Sequence, residues 1–120
     1  MQQRRLTLFF ISALAFLGAH ITANKLALYW YFWWADIIMH FWGGLLIGLG
    51  VHILASLPSL PIRATLPWLL TILFVVTFSW EGFERYFGLY NPDGYVLDTI
   101  MDIALGFTGG LLAHTVLTKS

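Results

Sequence analysis

Apolar residues fall into four long runs, separated by short segments rich in polar and turn-forming residues. The runs extend from about Leu6 to Ala23, Ala35 to Leu57, Trp68 to Arg85 and Val96 to Thr118. Each is close to the ~20 residues that a helix needs to cross a bilayer. Pro67 stands just before the third run, at a first-turn position that proline favours. Pro58, Ser59, Pro61 and Pro67 punctuate the second link, and Gly88, Asn91, Pro92, Asp93 and Gly94 the third. The first link, Asn24 to Trp34, carries six consecutive aromatics, Tyr29 to Trp34, which suit the headgroup level of a membrane. The pattern predicts an all-α fold, a four-helix transmembrane bundle, with residues 1–120 forming a single integral membrane domain.

Composition sharpens this picture. Hydrophobic residues make up 59% and charged residues 10%, against roughly 45–50% and 25% in ordinary soluble domains. Twelve charges could not cover the surface of a water-soluble domain of this size. A soluble enzyme and a disordered chain are thereby excluded. A nucleic-acid partner is excluded too, because the six Lys and Arg are cancelled by six Asp and Glu. With no cysteine, disulfides, thiolate metal sites and cysteine nucleophiles are ruled out.

Basic residues set the expected orientation. Arg4, Arg5, Arg63 and Lys119 fall on one side of a four-span arrangement, Lys25 and Arg85 on the other. The excess predicts a multi-pass protein of the cell membrane with both termini in the cytoplasm. The alternative is that Arg4-Arg5 and the first run form a signal peptide. It is disfavoured by the length of the run and by the lack of a small-x-small cleavage site after it.

The six acidic residues all lie toward the side opposite the termini. Asp36 opens span two, Glu81 and Glu84 close span three, Asp98 and Asp102 lie in the first turns of span four, and Asp93 is in a loop. His40 is one turn inside Asp36, and His20 is near the matching end of span one. Asp36/His40 and Asp98/Asp102 are i,i+4 pairs and Glu81/Glu84 an i,i+3 pair, so each pair can project from one helix face. If all ionise, five carboxylates against Arg85 and Lys25 leave three negative charges at a depth where uncompensated charge is expensive. Protons, a bound cation or a cationic ligand group must offset them.

Each residue alone has an ordinary explanation. Asp36 and Asp98 suit helix N-termini, and Glu81 with Arg85 forms a common i,i+4 pair. Glu84 could be a solvated interfacial residue and His40 a hydrogen-bonded core histidine. Asp102 resists such an account best, as does the convergence of three pairs at one level. Intramembrane ionisable residues are functional candidates by default. His52 and His114, near the other ends of spans two and four, read as interfacial or packing residues rather than ligands.

Spans two and four echo each other at an offset of 62 residues. Asp36-Ile-Ile-Met-His40 aligns with Asp98-Thr-Ile-Met-Asp102, Gly44 with Gly106, Gly48 with Gly110, Leu49 with Leu111 and His52 with His114. The echo predicts two helical hairpins arranged as a parallel repeat. The competing explanation is coincidence within an apolar alphabet. The glycines, with Gly43 and Gly109, form small-xxx-small stripes that let helices approach closely. Tight packing below a polar mouth points to a blind cavity rather than a channel.

The order Asp36-x-x-x-His40-Phe41, Trp80-Glu81-x-x-Glu84 and Asp98-Thr99-x-x-Asp102, followed by Gly106 and Gly110, resembles the VanZ-like membrane proteins and most closely their YjdF-type relatives. The similarity spans about Ala35 to Gly110 and departs from the family pattern at Gly106, where many members carry Asn. The resemblance implies a role at the cell envelope without defining a reaction.

Three functions compete. The first is a metal-dependent enzyme or binding protein acting on a lipid or cell-envelope precursor. Asp36, His40, Glu81, Asp98 and Asp102 would ligate Mg²⁺, Mn²⁺, Ca²⁺ or Zn²⁺, and Glu84 would be the general base. The second is a cation- or proton-coupled carrier, and the third a non-catalytic accessory protein with an acidic, aromatic mouth. So short a chain has little machinery for alternating access unless it forms a homo-oligomer.

Overall fold

The computed structural model describes residues 2–26, 32–87 and 95–119, apart from the side chains of Gln2, Trp33, Tyr95, Val96 and Asp98. Asp93, Gly88, Asn91, Pro92 and Gly94 of the third link, and most of the Tyr29–Trp34 aromatic run, lie outside the described residues. Four helices make up the described fold: α1 (Gln2–Lys25), α2 (Trp33–Ala55), α3 (Leu66–Tyr86) and α4 (Tyr95–Lys119). All four are long and apolar enough to cross a membrane. At about 1.5 Å per residue, even the 21-residue α3 reaches about 30 Å, the thickness of the hydrocarbon core.

The helix boundaries have local causes. The N-cap of α3 is Thr65, with extended backbone, and proline occupies the first turn, where its missing N–H is not needed. The link before it is apolar and proline-punctuated, and α2 ends with the Ser56 N–H donating to the Ile53 carbonyl and the Leu57 N–H to the Leu54 carbonyl. In α3, Thr71 and Thr77 donate their hydroxyls to the carbonyls of Pro67 and Leu73, and in α4 Thr108 and Thr115 donate to Ala104 and Leu111. This i→i−4 bonding satisfies the hydroxyl without water, a requirement in lipid.

The distribution of side chains is that of a membrane protein. Leu14, Ile11, Phe10, Leu97, Phe74 and Val116 are exposed, while His52, Glu81 and Asp102 are buried. The fully buried apolar centre is small, consisting of Val51, Leu69 and Leu73. Packing must therefore come from close helix approach rather than from a large oily core.

α2 and α4 share the largest interface, α1 packs on α2, and α3 packs on α4 and α2. The α1–α2 contact is fixed by the Trp42 indole N–H donating to Ser12 Oγ at 2.9 Å. The Phe16 ring meets Trp42 edge-on and lies over Gly43, while Phe9 lies over Gly50. Arg5 reaches across to donate to the Leu117 carbonyl at 3.3 Å, joining the two ends of the chain at one end of the bundle.

The α2–α4 seam gives the sequence echo a structural form. His40 faces Asp102, Gly44 faces Gly106, Gly48 faces Gly110 and His52 faces His114. Each of these four residues of α2 thus meets its counterpart 62 positions on, as in a parallel pair related by a local twofold. The contact follows a row of residues four apart, one of the natural ridges of a helix surface, which keeps His52 and His114 in the same seam as His40 and Asp102. The symmetry is incomplete at the glycines. A Cβ on Gly44 would collide with the Gly106 carbonyl, whereas one on Gly106 or Gly110 would meet Thr77 or Leu73 of α3. Gly109 takes over on the α4 side, pressed against the backbone of Phe41 and Leu45. The α4 stripe thereby admits two neighbours at once.

Candidate metal centre

Three helices deliver ionisable groups to the end of the bundle opposite the Arg5–Leu117 contact. His40 comes from the second turn of α2, Glu81 and Glu84 from the last turns of α3, and Asp102 from the second turn of α4. Each offers one ligand atom, and these four atoms lie within 4.8 Å of one another. Glu81 and Asp102 are buried, and His40 and Glu84 are half-buried.

The imidazole of His40 is held from both sides. Its Nδ1 faces two oxygens of Asp36, the backbone carbonyl at 2.9 Å and the carboxylate Oδ1 at 3.2 Å. Nδ1 therefore carries a proton and donates it. Nε2 points the other way, 3.4 Å from Asp102 Oδ2. That separation is beyond the usual 2.7–3.2 Å of an N–H···O bond, and Nε2 is buried with no hydrogen-bond partner among the described residues. It does suit two ligands of one cation, because metal bonds of about 2.1 Å at angles of roughly 90–110° hold their donors about 3.0–3.4 Å apart. The outer limit of 4.8 Å equals about twice a Ca²⁺–oxygen distance. One nitrogen and three carboxylates form a donor set that Mg²⁺, Mn²⁺, Ca²⁺ and Zn²⁺ all accept.

The candidate residues thus divide. His40, Glu81, Glu84 and Asp102 converge, while Asp36 stands behind His40, touching its far nitrogen. The Asp98 side chain lies outside the described residues, although its backbone is in the first turn of α4. Glu84, the expected base, sits inside the ligand group. Thr99 is not among the site residues expected from the sequence, yet its hydroxyl is buried without a hydrogen-bond partner among the described residues, one turn before Asp102. The Asp-Thr-x-x-Asp spacing was the available signal.

The rim is aromatic where it is described. His20 of α1 meets the edge of Trp80, with ring centroids 6.0 Å apart, and accepts from Asn24 Nδ2 at 3.2 Å. Trp80 stacks on Phe83 and immediately precedes Glu81, so α1 and α3 meet beside the cluster through these rings.

His52 and His114, expected as separate interfacial or packing residues, instead form a pair. His52 Nε2 and His114 Nδ1 are hydrogen-bonded at 3.0 Å, and His52 is buried.

No protein family, curated protein or solved structure matches this chain.

Proposed function

We propose that the protein binds a divalent cation through His40, Glu81, Glu84 and Asp102 and uses it to engage the polar head of a lipid or cell-envelope precursor. The observation that carries this reading is the convergence of four ligand atoms from three helices within 4.8 Å. Asp36 supports it by holding Nδ1–H of His40, which leaves Nε2 free to bind metal; this is how metal-ligating histidines are usually oriented. The bound cation supplies charge compensation and Lewis acidity. The residues supply position: α2, α3 and α4 each fix a ligand, and Trp80 and His20 border the approach. In this reading the cluster faces the outer leaflet, with both termini in the cytoplasm. The likeness of the Asp36/His40, Trp80/Glu81/Glu84 and Asp98/Asp102 segments to VanZ-like proteins belongs to the same proposal and gives the envelope as its setting.

The test is metal analysis of protein purified in detergent, together with melting in chelator and in Mg²⁺, Mn²⁺, Ca²⁺ or Zn²⁺. A ligand present at a hundred times its Kd adds about 2.7 kcal/mol to stability, so the melting temperature should fall with chelator and recover with metal. Identical melting in every condition, with no metal in the purified protein, overturns the proposal. A cation- or proton-coupled carrier is the second reading, favoured by the polar His52–His114 pair at the opposite end of the same seam.

A further inference from the structure

We infer that His52 and His114 form a second functional site, a proton-binding pair linked to the cation cluster through the glycine contact of α2 and α4. The inference rests on the cation reading of the cluster and extends it to the other end of the molecule.

The pair has a definite proton capacity. A hydrogen bond between two imidazoles needs one ring to donate and the other to accept. With both rings neutral, the donor ring keeps a lone pair on its outward nitrogen. One further proton can bind there with the inter-ring bond intact. A second must occupy the accepting nitrogen, which sets two N–H groups against each other and breaks the bond at 3.0 Å. The charged side chains at this end are basic. Arg5 of α1 is bonded to the Leu117 carbonyl, and α4 ends in Lys119. The facing part of α3 contributes Leu69 and Leu73, buried with Val51, and Arg63 stands in the link before α3. No acidic residue occurs in the sequence from 37 to 80 or from 103 to 120, so no Asp or Glu side chain of α2, α3 or α4 at this end stabilises a doubly charged pair.

The link to the cluster is mechanical. His40–Asp102 and His52–His114 lie on the same two helices, four residues beyond the Gly44–Gly106 and Gly48–Gly110 contacts on either side. Between them backbone lies against backbone at Gly44–Gly106 and Gly48–Gly110, with the short, rigid Ala113 methyl beside Gly48, so little can flex to absorb a shift. Packed interfaces of this kind respond as rigid bodies, so a change in helix separation at the cluster reaches the histidine pair. Binding at two linked sites is reciprocal: protons at the pair alter cation affinity, and the cation alters proton binding at the pair.

The chain has four histidines, which makes the test direct. Protein labelled with ¹⁵N-histidine in detergent micelles is titrated with Mg²⁺ and with Ca²⁺ at about pH 5.5 to 8, the range in which histidine changes charge, and the imidazole nitrogens are followed by NMR. His40 reports the cluster. The expected result is that His52 and His114 shift over the same cation range as His40. In His114→Asn, the cation midpoint measured at His40 should differ from wild type by at least about fivefold at one end of the pH range, the lower bound of ordinary site coupling. If His40 responds while His52 and His114 stay fixed, the linkage is wrong and the cation reading survives. If His40 itself is silent to both metals, both fall. Should His114→Asn not fold, His52→Gln provides the same comparison.

Discussion

Gly44 lies against Gly106 so closely that a single methyl group on Gly44 would collide with the Gly106 carbonyl. The bundle is therefore built around a contact that only the absence of a side chain permits. Gly44→Ala and Gly109→Ala should force α2 and α4 apart and lower stability by about 1–3 kcal/mol, the usual effect of overpacking. A methyl group added at Gly18 or Gly82 would meet nothing within 4 Å, so Gly18→Ala and Gly82→Ala should leave stability unchanged or slightly raised. Thermal melting of the four variants in one detergent checks this; equal behaviour of both sets would remove the glycine seam as the organising contact.

The cation cluster predicts a graded mutational series. Asp102→Asn and His40→Ala delete a ligand and should abolish the metal-dependent rise in melting temperature. Asp36→Asn should keep the ligands but weaken cation affinity about 10–100-fold, because it loosens the hold on His40 Nδ1. Isothermal titration with Mg²⁺ and Ca²⁺ separates the two outcomes. If Asp36→Asn and Asp102→Asn are equally damaged, Asp36 is itself a ligand.

The Trp42–Ser12 hydrogen bond is a side-chain bond that ties α1 to α2. Interhelical hydrogen bonds in membranes average about 0.6 kcal/mol, with a maximum near 1.7. Ser12→Ala should therefore destabilise modestly, and adding Ser12→Ala to Trp42→Phe should change little further. A double-mutant cycle with no coupling between the two positions would show that the ring contact of Phe16 with Trp42, and not the bond, holds α1.

Topology can be read cleanly because the chain has no cysteine. Single cysteines placed at Ser59 and Ser120 should react with an impermeant reagent from the same side of the membrane, as four spans require. The basic excess predicts that this side is the cytoplasm. Labelling of Ser59→Cys from outside intact cells would invert the orientation and turn the cluster toward the cytoplasm.

The four spans were legible because hydrophobic length is a direct consequence of bilayer thickness. The convergence of His40, Glu81 and Asp102 was also legible, since antiparallel neighbours place span starts beside span ends. Two things were not. Whether Asp36 or Glu84 completes the ligand group depends on helix rotation, which spacing along one helix does not fix. The bonding of His52 to His114 was hidden because a straight helix carries a four-residue ladder away from its starting face by about 40° per step. The two helices meet along that ladder, so His52 and His114 stay in the seam and face each other. The 62-residue echo held this information, but only the pairing of α2 with α4 turns an offset into a contact.

A seam in which four residues of one helix meet their own counterparts on the other has a consequence for how such a chain can change. A substitution on α2 alters first the surroundings of the residue that corresponds to it on α4, so the two halves cannot drift apart freely. Among descendants of this sequence, changes at 40, 44, 48 and 52 should be accompanied by compensating changes at 102, 106, 110 and 114. The most strongly co-evolving pairs in the protein should then share one constant separation along the chain, a diagonal signature that unrelated sequences could be searched for without reference to any residue type.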